Sequence, residues 1–144
     1  MRSPASATDS AHAAPATELP LRQPEHVVRL RQAVRERAIA LGFGLVDQTK
    51  IVTAASELAR NALTHGGGGH AEITEVMAGI RRGLRLTFVD EGPGIEDIER
   101  AMRDGFTTGS GLGLGLGGAR RLVNEFAIES ARGKGTRVTI VRWR

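Results

Sequence analysis

Gly109-Ser110-Gly111-Leu112-Gly113-Leu114-Gly115-Leu116-Gly117-Gly118 runs straight into Ala119-Arg120-Arg121-Leu122-Val123-Asn124-Glu125-Phe126, a glycine-dense loop followed by helical spacing of apolar residues. Glycine at this density loses much conformational entropy on folding, so it is kept where the backbone must take positive φ or bring N–H groups against a ligand. A phosphate chain is the usual ligand of such a loop before a helix, where unpaired donors and the positive dipole end converge. A flexible linker is the alternative, but linkers carry Ser, Pro or charge rather than leucine at alternate positions.

The kind of cradle is narrowed by what is missing. A P-loop needs Gly-x-x-x-x-Gly-Lys-Ser/Thr, and Gly133-Lys134-Gly135-Thr136 does not supply that order. Gly113, Gly115 and Gly118 satisfy Gly-x-Gly-x-x-Gly, yet the preceding Asp104-Gly105-Phe106-Thr107-Thr108 is not the strand a dinucleotide fingerprint requires.

A chain of 144 residues suits one domain with a core of its own. With no cysteine, disulfides, thiol nucleophiles and Cys-based zinc sites are excluded. No apolar run is long enough to span a membrane and residues 1–20 lack a secretory apolar core, so a cytoplasmic protein without membrane partners is expected. The formal charge of +4, with Arg far outnumbering Lys, raises nucleic acid as a partner. Against it, the chain has no Tyr, one Trp and four Phe for base stacking, and its arginines are scattered, so no nucleic-acid partner is expected.

Residues 1–16 are Ala, Ser, Thr and Pro with little apolar bulk and are expected to form a disordered tail, leaving 17–144 as the folded domain. Glu18-Leu19-Pro20-Leu21-Arg22 reads as an edge strand, because Pro cannot serve a central one. From Pro24, the spacing of Val27, Leu30, Val34, Ala38 and Leu41 predicts an amphipathic helix stopped by Gly42 and Gly44. A second helix is expected from an Asp47 cap to about His65, with Ile51, Ala55, Leu58 and Ala62 as its apolar stripe. Glu57 and Asn61 share another face, with Arg60 beside them; an ordinary solvated i, i+4 face would look the same.

Gly66-Gly67-Gly68-Gly69 ends that helix as a turn. A strand from His70 to Met77, a polar turn over 79–83 and the alternating strand Leu84-Arg85-Leu86-Thr87-Phe88-Val89 predict an antiparallel hairpin. It closes on Asp90-Glu91-Gly92-Pro93-Gly94-Ile95, where turn chemistry alone could account for the residue types. A short helix over 96–103, a helix over 119–126, a strand over 127–130 and a last strand over 136–143 complete the chain. The fold class is therefore α+β: a two-layer α/β sandwich, its mixed, mostly antiparallel sheet carrying helices on one face.

Three features stand in fixed order: Glu57-Leu58-Ala59-Arg60-Asn61 on a helix, Asp90-Glu91-Gly92-Pro93-Gly94 at a strand end, and the glycine loop before a helix. With Gly135-Thr136 opening the last strand, they resemble the N, G1, G2 and glycine-threonine boxes of the GHKL (HATPase) ATP-binding fold of gyrase, Hsp90, histidine kinases and MutL. Within it, Ser56-Glu57-Leu58-Ala59-Arg60-Asn61, Asp90-Glu91-Gly92-Pro93-Gly94-Ile95 and Asp104-Gly105-Phe106-Thr107-Thr108 are similar to the small anti-sigma-factor serine kinases of RsbT type, the switch kinases of stressosomes.

That resemblance implies ATP and Mg²⁺ as cofactors, with Asp90 accepting the adenine amino group, Gly92, Gly94 and Ile95 passing under the base, and Thr136 supporting the same edge. It implies Asn61 as the Mg²⁺ ligand, Arg60 near the nucleotide, and Thr107, Thr108, Gly109, Ser110, Gly111, Leu112, Gly113, Leu114 and Gly115 around the triphosphate. Glu57 is implied as the general base for an incoming serine of a STAS-domain protein, in or out of a stressosome complex. Three other functions compete. One is an anti-sigma factor that also sequesters a sigma subunit, whose usual N box lacks an Arg at the position of Arg60. Another is a non-enzymatic switch activating a PP2C-type phosphatase. The third is an orphan histidine-kinase catalytic domain, disfavoured by Thr64 where such kinases carry Lys and by the absence of a phosphoacceptor hairpin.

Overall fold

The computed structural model describes residues 12–103 and 115–144. Ten elements alternate along them: strands β1 (His12–Ala13) and β2 (Thr17–Leu21), helices α1 (Pro24–Ala40) and α2 (Leu45–Thr64), strands β3 (Gly69–Ala78) and β4 (Arg81–Asp90), helices α3 (Ile98–Ala101) and α4 (Gly115–Arg121), and strands β5 (Glu125–Ser130) and β6 (Thr136–Trp143). The sheet order is β1-β3-β4-β6-β5, with β2 pairing the same edge of β3 that β1 pairs further along. Every pairing among the described residues is antiparallel, in keeping with the mostly antiparallel sheet expected.

Strand alternation divides the sheet into two faces. Leu21, Ala71, Ile73, Leu84, Leu86, Phe88, Val138 and Ile140 point to one side and join the buried stripes of α1 (Val27, Leu30, Val34, Ala38) and α2 (Ile51, Ala55, Leu58, Ala62) in one core. This is the expected two-layer arrangement, and both helical stripes fall where 3.6-residue spacing puts them. Among the described residues the opposite face has a small cluster of Val76, Val141 and Trp143, with the Arg81 guanidinium 4.7 Å over the indole. It also carries His70, whose Nε2 lies 2.9 Å from Glu72 and 3.8 Å from Glu18 on the edge strand.

Several boundaries differ from expectation for identifiable reasons. His12 and Ala13 pair with Met77 and Val76, and the Ala14 N–H donates to the Glu75 carbonyl, so strand pairing reaches back into the stretch expected to be a tail. α2 begins at Leu45 with Gly44 as N-cap; Asp47 lies inside the first turn and pairs with Arg142 of β6. The β3–β4 connection is the two-residue turn Gly79-Ile80, with Gly79 at φ 64°, and the arginines expected in the turn belong to β4. α4 starts at Gly115, four residues before the expected Ala119, and stops at Arg121; Phe126 lies in β5. The stop follows from the Asn124 side chain, whose Oδ1 accepts the Trp143 N–H at 2.7 Å and turns the chain into the sheet.

Candidate functional site

The site grows from one row of residues across the sheet. Gly69 pairs with Asp90, Asp90 with Thr136, and Thr136 with Ser130, so β3, β4, β6 and β5 each place one residue of that row at the same end. Alternation turns Asp90 toward the helical layer, on the side of Phe88 and Leu86.

Three chain segments converge on Asp90, and small residues let them. A Cβ on Gly66 would stand 2.3 Å from Asp90 Cγ, so the turn after α2 passes directly against the carboxyl group. A Cβ on Gly92 would meet the Gly66 backbone at 2.6 Å, and one on Gly135 would meet the Asp90 carbonyl at 2.3 Å. Gly94 and Gly135 also hold φ of 78° and 75°, a left-handed backbone that costs other residues about 1–2 kcal/mol.

The Asp90 carboxyl is half-buried, and its Oδ1 accepts the Gly92 N–H at 3.0 Å. Loss of hydration raises its pKa above the ordinary 3.8, while backbone N–H groups of Gly92 and Thr136 pull the other way. Next to it, the Ser130 hydroxyl accepts the Ile95 N–H at 2.7 Å and lies 2.8 Å from Thr136 Oγ1. A carboxylate held by main-chain donors at the mouth of a strand-end turn is an acceptor for an amino group of a flat ligand.

The second group sits on α2. Glu57 is buried at 8% exposure although its side chain is polar, and the exposed Arg60 donates to its Oε1 at 3.0 Å. Asn61 is half-buried one turn further on, and its carbonyl accepts the N–H groups of His65 at 2.9 Å and Gly66 at 3.1 Å. The helix end that carries Asn61 is thereby tied to the turn that backs Asp90. The bland reading of this helix face predicts solvated side chains; for Glu57 the structure replaces it with burial.

Of the candidate residues, Asp90, Gly92, Gly94, Ile95 and Thr136 come together, while Glu57, Arg60 and Asn61 form the neighbouring group on α2. Gly115 is buried at the start of α4, where Leu116 and Ala119 pack into the core. Thr107, Thr108, Gly109, Ser110, Gly111, Leu112, Gly113 and Leu114 lie outside the described residues. Gly66 and Ser130 were missed by sequence reasoning. A signal for Gly66 existed, since a helix stop needs one glycine and the chain has four in a row.

An acceptor-only carboxylate beside glycines with no room for side chains fits an aminopurine edge. One neutral amide oxygen at Asn61 fits an ion that keeps several waters and takes its remaining ligands from phosphates. Among the described residues no helix is long and apolar enough to cross a membrane.

Comparison with known proteins adds an independent line. The family model described as histidine kinase-, DNA gyrase B- and HSP90-like ATPase matches residues 46–144. The chain is 46% identical over 117 residues to the serine/threonine-protein kinase RsbT of Bacillus subtilis, covering 81% of this chain and 88% of that one. It is 38% identical over 118 residues to the anti-sigma F factor of Thermoanaerobacter sp. strain X514, covering 78% and 82%. A solved structure of the RsbU and RsbW domains of a Mycobacterium tuberculosis protein superposes with a TM-score of 0.60 at 24% identity. That match spans 91% of this chain but 33% of the other, and it bears on the fold alone.

Proposed function

The chain belongs to the histidine kinase-, DNA gyrase B- and HSP90-like ATPase family, and from that premise we propose that its geometry serves phosphoryl transfer from ATP to a serine of a STAS-domain protein. The protein is an ATP-dependent serine kinase of a sigma-factor regulatory switch, the coarser statement supported by its 46% identity over most of its length with a serine/threonine-protein kinase. The observation that carries the ATP site in this reading is the Asp90 carboxyl group, its pKa raised by burial, backed by Gly66, Gly92 and Gly135 at a strand end.

When bound, ATP with its magnesium ion supplies the phosphoryl group and the charge that offsets it in transfer. Asp90 takes the adenine amino group, Gly92, Gly94 and Ile95 give the base a close main-chain wall, and Thr136 adds a second polar contact to the same edge. Asn61 offers its amide oxygen to the ion, and Arg60 offers positive charge near the phosphates. Glu57, held in place on α2 by Arg60, takes the proton of the incoming serine hydroxyl. Residues 17–144 make up the kinase domain in this reading.

Purified protein with labelled ATP, Mg²⁺ and the STAS-domain proteins of the same genome should give phosphoserine on one of them. ATP binding without transfer to any would replace the kinase by a pure binding switch, such as one acting on a PP2C-type phosphatase. Direct capture of a sigma subunit is a second reading, favoured by the 38% identity with an anti-sigma F factor. Co-purification with sigma subunits in the presence of ATP tests it.

A further inference from the structure

Ser130 has one proton and two lone pairs, and its surroundings use all three. Its Oγ lies 2.9 Å from the Gly135 carbonyl, which can only accept, so the Ser130 proton is committed there. The Ile95 N–H, at 2.7 Å, can only donate and takes one lone pair. The remaining contact, 2.8 Å to Thr136 Oγ1, must then be donated by Thr136. Thr136, the cross-strand partner of Asp90, spends its only proton on Ser130 and keeps lone pairs alone for any other partner.

From this proton count we infer that Ser130 is a specificity-determining positioning residue: it fixes the Thr136 hydroxyl as an acceptor, so that the base edge meets two acceptors and selects a 6-amino purine over a 6-oxo purine. The inference rests on the reading of Asp90 and Thr136 as the adenine edge. An amino group donates to both oxygens, whereas the 6-oxo group of guanine brings a third acceptor against them and leaves buried polar groups unpaired. Ser130 itself touches no nucleotide; it acts through Thr136, and through Ile95 it also anchors the turn that follows Asp90.

The test is calorimetric binding of ATP and GTP to the full chain, wild type against Ser130→Ala, Ser130→Thr and Ser130→Cys, with thermal unfolding of each apoprotein. Removing the hydroxyl frees the Thr136 proton to rotate outward and donate to an oxo group. Ser130→Ala should therefore lower the ATP-to-GTP affinity ratio by about threefold to tenfold, the worth of one neutral hydrogen bond. Ser130→Thr, which restores the hydroxyl, should keep the wild-type ratio. If Ser130→Ala does not fold, Ser130→Cys preserves shape with a weak donor and should shift the ratio in the same direction. In a Thr136→Val background, Ser130→Ala should move the ratio no further, because both act through one contact.

Equal loss of ATP and GTP affinity would make Ser130 merely structural and overturn the inference while leaving the kinase reading intact. So would an additive effect in the Thr136→Val background. A folded wild type that binds neither nucleotide overturns the ATP site itself and this inference with it.

Discussion

Gly66 lies directly against the carboxyl group of Asp90, 24 positions away in the chain and on a different element, so closely that a methyl group there would stand 2.3 Å from Asp90 Cγ. Its own φ is not left-handed, so any penalty at Gly66 comes from contact rather than from backbone strain.

Gly66→Ala should push the Asp90 side chain off its Gly92 hydrogen bond. The expected result is at least roughly tenfold weaker ATP binding, with a stability loss of about 1–3 kcal/mol for overpacking. Gly67→Ala is the matched control, because no atom lies within 4 Å of a Cβ there and only its φ of 73° resists. It should cost stability and leave ATP affinity unchanged. Calorimetry and thermal unfolding of both variants give the comparison; equal ATP affinity in the two would detach Gly66 from the site.

Asp90→Asn should abolish ATP binding in a folded protein, since an amide at this place presents a donor where the adenine amino group needs an acceptor. The pH dependence carries the same information with two opposite signs. Burial raises the Asp90 pKa in the folded state above 3.8, so its favourable contribution to apoprotein stability is complete below the unfolded value. That contribution is lost as pH rises through the raised folded value. ATP affinity runs the other way and should fall as pH drops through the raised value, because protonation removes the charge from the acceptor and adds an O–H donor that faces the amino group. Binding titrations from neutral pH down toward the ordinary aspartate value should show this loss in wild type. A flat profile down to ordinary aspartate values contradicts it.

Asn61→Ala and Asn61→Asp should remove Mg²⁺-dependent nucleotide binding and transfer, because this ion tolerates little change in ligand geometry. Binding in EDTA should change far less. A variant transferring phosphate at the wild-type rate would return Asn61 to the status of a helix-surface residue.

Glu57→Gln keeps size and can still accept the Arg60 hydrogen bond, so the fold should be undisturbed. As a residue that cannot take a proton, it should transfer phosphate about 10² to 10⁴ times more slowly with ATP still bound. Single-turnover phosphoserine formation on a STAS-domain protein measures this, whereas a binding switch acting on a PP2C-type phosphatase would keep its output in the same variant. A loss of ATP affinity matching the loss in rate would recast Glu57 as a binding residue.

Local pattern alone determined much of the architecture. Helical spacing marked α1 from Pro24, and the proline in β2 placed that strand on an edge, where Pro20 pairs with His70. The last strand, Thr136–Trp143, matched its expected bounds, and Asp90 closed β4 as its position before a Gly-Pro-Gly turn suggested. Each of these signals is a periodicity or a turn chemistry that acts within a few residues.

Tertiary structure decided what depends on partners far along the chain. Asp47 reads as a helix cap until Arg142, 95 residues away, claims its carboxylate. Arg81 and Arg82 read as turn residues until β4 pairs with β3 and Arg81 finds the Trp143 ring. Glu57 reads as a solvated surface charge until its helix packs it to 8% exposure. In the same way the glycine run marks Gly66 only as part of a turn, and Ser130 carries no local mark. One matters because Asp90 folds back onto it, the other because Ile95, Gly135 and Thr136 together exhaust its hydrogen-bonding capacity. Such contacts join elements remote in sequence, and their energies exist only once the sheet has set the register that brings them together.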